Sequence, residues 1–509
     1  MLLILLSGLV FGPAKAASVP ATSGPNIIVI MTDDQDLTMG SLNYMPKLRQ
    51  YITEQGTTFA NFFTPQSLCC PSRVTFLRGQ YPHNHQVYTN LPPLGGFEKA
   101  YTLGLEQDTL ATALHTAGYR TALIGKYLNG YPLSTNQTYI PAGWDVWFSP
   151  TTEGAYGSYN YMVNDNGTLV TYGSTRTDYI TDVLRNEALD FIGHTSSPSS
   201  EQPFFLLLTF YAPHSPANPA QRHVNLFPNA QVPRTVGFNE GDMSDKPTFM
   251  QTRPNLIEAE IADLDLQYRR RVQSLQAVDE AIEALVLQLA ANNQLDNTYI
   301  FFLSDNGYHL GQHRLPAGKA SPYEEDIHVP LIVRGPGVRI GAERAELASM
   351  IDLAPTLTEI GHATTGYLCD GQSLLPLMTT PAIPSNWRKA IHIEYYHDAV
   401  QRQPDRVASW EPLEPMDLWD QAVTPQVLAY TALRTERYSF VDRPGLEDEL
   451  YDLAHDPEQV RNRWRDAPAT MKTQLASYLA ALQTCSGVSC RMLAAQTPPV
   501  YDVPPWSYY

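Results

Sequence analysis

Four short apolar runs, each stopping abruptly at a reactive polar residue, constrain this chain more than any other feature. Ile27 to Met31 ends in Thr32-Asp33-Asp34, and Thr121 to Gly125 ends in Lys126. Phe204 to Phe210 ends in Tyr211-Ala212-Pro213-His214, and Tyr299 to Leu303 ends in Ser304-Asp305-Asn306-Gly307. Continuous apolar runs bounded by turn residues suit strands buried on both faces, as in a parallel sheet. Helical patterns lie between them: Val272, Leu275, Ile282, Leu285, Val286 and Leu289 share one stripe just before the Tyr299 strand. Alternating helix and strand predicts an α/β sheet covered on both faces. Ligands of such sheets sit beyond the carboxyl ends of the strands. The four polar ends, far apart in sequence, are therefore expected to face one crevice.

Val329 to Val333, followed by Arg334-Gly335-Pro336-Gly337, reads as a further strand of that sheet. Beyond about residue 380 prolines become frequent and the alternation fades. Arg434 to Val441 and Glu449 to Leu453 are expected as antiparallel strands, and Ala467 to Leu482 as an amphipathic helix. The expected organisation is a catalytic domain over 18–380 and a smaller α+β subdomain over 381–509. Met1 to Ala17 reads as an export signal: Leu2 to Leu6 and Leu9 to Phe11 form its apolar core, and Ala14-Lys15-Ala16 supplies a small-x-small cleavage pattern. Its n-region has no Lys or Arg. No later stretch approaches the ~18 apolar residues of a membrane span, so the expected destination is extracellular. Asn136-Gln137-Thr138 and Asn166-Gly167-Thr168 are candidate glycosylation sites. Cys485 and Cys490 could close a small disulfide loop, Cys369 reads as unpaired or buried, and the adjacent Cys69 and Cys70 are badly placed to bridge each other. A net charge of −18 without a basic run excludes a nucleic-acid or acidic-membrane partner. An anionic substrate then needs a local cluster of cations.

Adjacent carboxylates at Asp33 and Asp34, with Asp305 and Asn306 at another strand end, form an oxygen donor set for a hard divalent cation such as calcium or magnesium. The most specific segment is Cys69-Cys70-Pro71-Ser72-Arg73-Val74-Thr75-Phe76-Leu77-Arg78-Gly79. It resembles the sulfatase signature Cys-x-Pro-Ser-Arg-x-x-x-Leu-x-Gly at every fixed position. Pro25 to Asp34, Gly125 to Tyr131, Ala212 to Pro216, Ser304 to Gly307, Leu450 to Leu453 and Asp456-Pro457 also look like sulfatase blocks, in the family's order. Leu68 to Arg73, Tyr81 to His85 and Lys126 to Asn129 are most similar to fungal arylsulfatases and N-acetylglucosamine-6-sulfatases. The resemblance implies an alkaline-phosphatase-like fold, a mixed or parallel sheet flanked by helices. It also implies oxidation of Cys69 to formylglycine (3-oxoalanine) by a formylglycine-generating enzyme during export.

The resemblance assigns calcium to Asp33, Asp34, Asp305 and Asn306, with the modified Cys69 completing the shell. Arg73, one helical turn from Cys69, is expected to hold the nucleophile and nearby carboxylates. Lys126 and Lys319 are expected on the sulfate oxygens, and His214 as the acid that protonates the leaving oxygen. Cys70, at a variable position, reads as structural. One departure stands out: many sulfatases place a histidine two residues after the lysine, where this chain has Leu128 followed by Asn129. His85 is the expected replacement base, with His309 the other candidate. Sulfate-monoester hydrolysis, of the arylsulfatase kind, is the expected activity, with a sugar 6-sulfatase as the alternative. A phosphonate or phosphodiester hydrolase is disfavoured by the intact cysteine signature, and a sulfatase-like binding protein by the completeness of the site. Substrate choice is expected to lie in loops such as Gly154 to Tyr161, with Tyr156, Tyr159 and Tyr161, and Phe238 to Pro254.

Overall fold

A computed structural model describes residues 24–133, 136–151, 153–195, 202–396 and 429–498. The expected export signal lies outside them. The expected doubly covered sheet is present, with ten strands among the described residues. Through its centre run, side by side, Leu331–Arg334, Thr298–Ser304, Asn26–Thr32, Phe204–Thr209, Arg120–Gly125 and Val146–Pro150. The last five are mutually parallel. The sheet is mixed because Leu331–Arg334 runs antiparallel to its neighbour.

Period-two alternation explains why the strands read as unbroken apolar runs. Ile27, Val29 and Met31 enter one core layer, while Ile28 and Ile30 enter the opposite one. The Glu258–Ala291 helix covers the second face, burying Leu275, Ile282, Leu285, Val286 and Leu289 there. Val272, on the same predicted stripe, packs instead with Tyr268 and Tyr308 nearer the carboxyl edge of the sheet.

The smaller C-terminal unit is a four-stranded antiparallel sheet of Ala390–Tyr395, Tyr430–Thr435, Tyr438–Asp442 and Glu449–Asp452. The segment expected as one strand over 434–441 is instead a tight hairpin. Thr435 Oγ1 accepts the amide of Tyr438 at 2.8 Å and folds the chain back at Glu436-Arg437. The Ala469–Leu482 helix packs Leu475, Leu479 and Leu482 with Leu433, Phe440 and Leu450, and the Cys485–Cys490 disulfide follows it. The other face of the sheet packs on the larger part of the molecule. Ile391 and Ile393 share a cluster there with Phe63, Ile327 and Leu347.

Candidate active site

The four polar strand ends converge as expected, because Thr298–Ser304, Asn26–Thr32, Phe204–Thr209 and Arg120–Gly125 are consecutive neighbours in the sheet. Asp34 turns out of its strand in the left-handed region, with φ 64°, a conformation that a short polar side chain tolerates better than most. Gly125, at φ 119°, is required where the chain passes its neighbour, since a Cβ there would meet Thr209 O at 1.8 Å. The Lys126 carbonyl is then fixed by Thr209 Oγ1 at 2.6 Å and Arg73 Nη1 at 2.9 Å. Lys126 Nζ reaches Asp33 Oδ2 at 2.6 Å.

Cys69 opens the Cys69–Arg78 helix and is fully buried. Its Sγ lies 3.4 Å from Asp33 Oδ1, 3.8 Å from Asp34 Oδ1 and 3.0 Å from Lys319 Nζ. Lys319 Nζ also donates to Asp34 Oδ1 at 2.8 Å. One turn along the helix, Arg73 Nε donates to Asp305 Oδ2 at 2.8 Å, and its Nη2 stands 3.8 Å from Asp33 Oδ2. Asn306 Nδ2 donates to Asp34 Oδ1 at 2.7 Å. His214 Nδ1 sits 2.7 Å from the Ser215 carbonyl. A carbonyl only accepts, so Nδ1 carries a proton and Nε2 is left facing Asp34 Oδ2 at 3.6 Å.

Charge is concentrated here among buried side chains. Burial pushes the Asp33 carboxyl up, but Lys126, His214, Arg73 and Lys319 outweigh it and hold it well below the ordinary carboxylate range. Asp34 is likewise held down, with Lys319 and His214 overcoming burial and the Asp33 charge. Asp305 goes the other way, raised to about 6 by burial and by Asp33 against the pull of Arg73 and Lys126. Burial and Asp33 push the Cys69 thiol well above its ordinary value. An unmodified Cys69 is therefore a neutral thiol at physiological pH and a poor nucleophile.

The donor chemistry fits a hard divalent cation. Oxygens of Asp33 and Asp34 lie within 4.8 Å of each other and of the Cys69 and His214 donor atoms. Two buried oxygens beside them, Asp34 Oδ2 and Asn306 Oδ1, accept no hydrogen bond among the described residues, which is costly unless a cation takes them. Asp305 is more committed: Oδ1 accepts the amides of Asp34 at 3.1 Å and Asn306 at 2.8 Å, while Oδ2 is taken by Arg73.

His85 is not brought to this cluster, and the expectation that it serves as the base is corrected. Its Nδ1 accepts the Val87 amide at 3.1 Å, so Nε2 carries the proton donated to Thr75 Oγ1 at 3.0 Å. Both nitrogens are engaged, and burial lowers its pKa to about 3. Thr75 lies six residues beyond Cys69, about 9 Å down the helix axis. His309 sits on the strand-like pair with Gly318 that leads into Lys319, and its Nδ1 is 2.9 Å from both oxygens of Asp326. Leu128 belongs to the apolar core.

Two supporting residues, Arg271 and Asp326, carry no motif and are invisible to sequence reasoning. Arg271, from the long helix, donates to the carbonyls of Asp34 and Pro213. Asp326 orients His309 and accepts the Ser321 amide at 2.8 Å, bracing the Lys319 loop. Tyr156 places its ring 4.7 Å from that of His214 and 4.9 Å from Lys126 Nζ. Tyr159 and Tyr161 pack away from the crevice, against Tyr179 and Tyr172. The two sequon asparagines, Asn136 and Asn166, are exposed. Cys369 forms no disulfide.

Cys70 points into the core with Val74 and Leu128, and its amide donates to Asn90 Oδ1 at 2.9 Å. Cys70→Ala is therefore expected to keep kcat/KM within a few fold, at a modest loss of stability from one small cavity. Steady-state assay and intact mass of the residue-69 peptide check this. A variant in which residue 69 is no longer modified would show that Cys70 belongs to the maturation signal.

Comparison with known proteins agrees with this site. The family profile described as sulfatase matches residues 25–363. Human N-acetylglucosamine-6-sulfatase is 35% identical over 516 aligned residues, covering 99% of this chain and 91% of that one. An arylsulfatase of Volvox carteri is 32% identical, covering 94% and 77%. A protein solved with its substrate D-glucosamine-2-N,6-O-disulfate superposes with a TM-score of 0.71 at 22% identity, covering 90% of this chain and 97% of that chain. A phosphonate monoester hydrolase of Agrobacterium radiobacter superposes at 0.68 with 20% identity, covering 92% and 95%, so this fold also serves phosphorus chemistry. The profile match over 25–363 and the identity to these curated relatives place this chain in the sulfatase family, whose members hydrolyse sulfuric esters.

Proposed function

We propose that this protein is a secreted, calcium-dependent arylsulfatase in which Cys69, oxidised to formylglycine, carries the nucleophile. The observation that supports it most is the position of Cys69 at a helix start between Asp33, Asp34 and Lys319. A bound divalent cation supplies a Lewis acid, and a hydrated aldehyde at residue 69 supplies one hydroxyl to attack sulfur and a second whose deprotonation expels sulfate.

The remaining roles belong to side chains already described. Asp33, Asp34, Asp305 and Asn306 would hold the cation. Lys126 and Lys319 sit on either side of residue 69 and bind the sulfate oxygens as their charge grows. Arg73 keeps Asp33 and Asp305 ionised and in register. His214, with Nδ1 fixed by the Ser215 carbonyl, presents Nε2 to protonate the departing oxygen. Tyr156 offers an aromatic wall beside His214, where a phenol ring can stack during departure.

A second reading, hydrolysis of a sugar 6-sulfate, is favoured by the 99% coverage of this chain in its alignment with human N-acetylglucosamine-6-sulfatase. Comparison of kcat/KM on 4-nitrophenyl sulfate, N-acetylglucosamine 6-sulfate and a phosphonate monoester separates the readings. The arylsulfatase reading expects the aryl ester to be hydrolysed best. Preference for the sugar ester by tenfold or more replaces it with the second reading, and preference for the phosphonate overturns both.

A further inference from the structure

A second cluster of ligating side chains lies outside the catalytic crevice, where the turn after the nucleophile helix meets the C-terminal sheet. His83 comes from the Pro82–His85 turn, while His392 and Glu394 come from the Ala390–Tyr395 strand. Two residues apart on one strand, His392 and Glu394 share a face. One donor atom from each of the three lies within 4.8 Å of the other two. His392 and Glu394 are fully buried, and the His83 side chain is only 10% exposed.

We propose that His83, His392 and Glu394 form a binding site for a transition-metal ion of the zinc class, separate from the catalytic cation. Two imidazoles and one carboxylate select such an ion over calcium, which prefers oxygen donors. A purely structural account covers only part of the cluster. His83 and Glu394 form an ion pair, with Nδ1 at 2.9 and 3.2 Å from the two carboxylate oxygens. His392 is left over: both its ring nitrogens are buried and have no hydrogen-bond partner among the described residues. Its ring stands 5.5 Å from that of His83. A ring with neither nitrogen engaged can turn a lone pair to a metal.

The surroundings supply the outer partners that metal-bound histidines and carboxylates usually have. His83 Nε2 is 3.0 Å from the Cys485 carbonyl, which fixes a proton there and leaves Nδ1 for the ion. Tyr396 Oη donates to Glu394 Oε2 at 2.7 Å. A dication entering here takes the place of the proton shared by His83 Nδ1 and Glu394, and that proton is released to solvent. The ion would join the turn beyond the nucleophile helix to the C-terminal sheet, next to the loop closed by Cys485–Cys490.

Metal-stripped full-length protein titrated with cobalt(II) tests this directly. The expected result is one equivalent of cobalt with the intense visible absorption of a four-coordinate ion, displaced by zinc. Zinc is also expected to raise the thermal midpoint by several degrees. His392→Leu, which fills the same space without a donor, and Glu394→Gln should each weaken binding at least a hundredfold. Cobalt at the oxygen-rich Asp33 centre would give the weak spectrum of a six-coordinate ion and would persist in both variants. Wild-type protein without the four-coordinate spectrum overturns the proposal, as does unchanged affinity in folded His392→Leu and Glu394→Gln.

Discussion

Cys69→Ser is expected to abolish multiple turnover, lowering the steady-state rate by on the order of 10⁶, the scale seen when a nucleophile is lost. A serine oxygen in the same pocket still faces Lys319 and the two aspartates, so one sulfate transfer to residue 69 remains possible. What serine lacks is the second hydroxyl on the same carbon, and without it the ester has no internal route to collapse. Incubation with an aryl sulfate should therefore yield at most one phenol per enzyme, and intact mass should show a gain of one sulfo group on the residue-69 peptide. Sustained turnover by the serine variant would falsify the hydrate chemistry.

Removal of the catalytic cation is the second large effect. Asp33 and Asp34 are held ionised in a buried pocket, and Asp34 Oδ2 and Asn306 Oδ1 lack donors among the described residues. Without a cation, Lys319 Nζ stays on Asp34 and Lys126 Nζ on Asp33, where neither is available to a sulfate. Exhaustive chelation, verified by metal analysis, is expected to reduce activity at least ~10³-fold, since the site loses both a Lewis acid and its freed lysines. Calcium should restore the rate and zinc alone should not. Full restoration by zinc without calcium would overturn the oxygen-donor assignment. Zinc held at His83, His392 and Glu394 would alter the melting curve without supplying that rate, so activity and thermal midpoint report on different ions.

The central sheet was legible because burial on both faces leaves unbroken apolar runs, and because such a run must end where the sheet ends. Asp33, Lys126, His214 and Asp305 could be placed together on that ground alone. Lys319 could not, since it lies on a loop rather than a strand end, and only the family resemblance pointed to it. His85 shows the opposite failure. A spacing of twelve residues from Arg73 says nothing about distance once a helix carries the intervening chain away from the nucleophile. Arg271 and Asp326 are illegible for a different reason: their roles depend on backbone carbonyls and amides, which every residue possesses. The hairpin at Glu436-Arg437 was missed because its turn has neither glycine nor proline and is closed by a threonine side chain instead.

The burial of Cys69 has a consequence for the order of events in biosynthesis. No enzyme can reach a thiol with 0% exposure beneath Asp33, Asp34 and Lys319, so the oxidation proposed for Cys69 would have to precede closure of the pocket. The last of those walls, Lys319, leaves the ribosome 250 residues after Cys69 (319 − 69). At roughly 5–20 residues per second, that delay is about 10–50 s. Until then the Cys69 segment lacks the parallel strand Thr298–Ser304 and the loop beyond it, and a maturation enzyme can bind it as an extended peptide. On the proposed chemistry, yield of active protein would be set by a race between oxidation and folding, and slowing synthesis between Cys69 and Lys319 should favour oxidation.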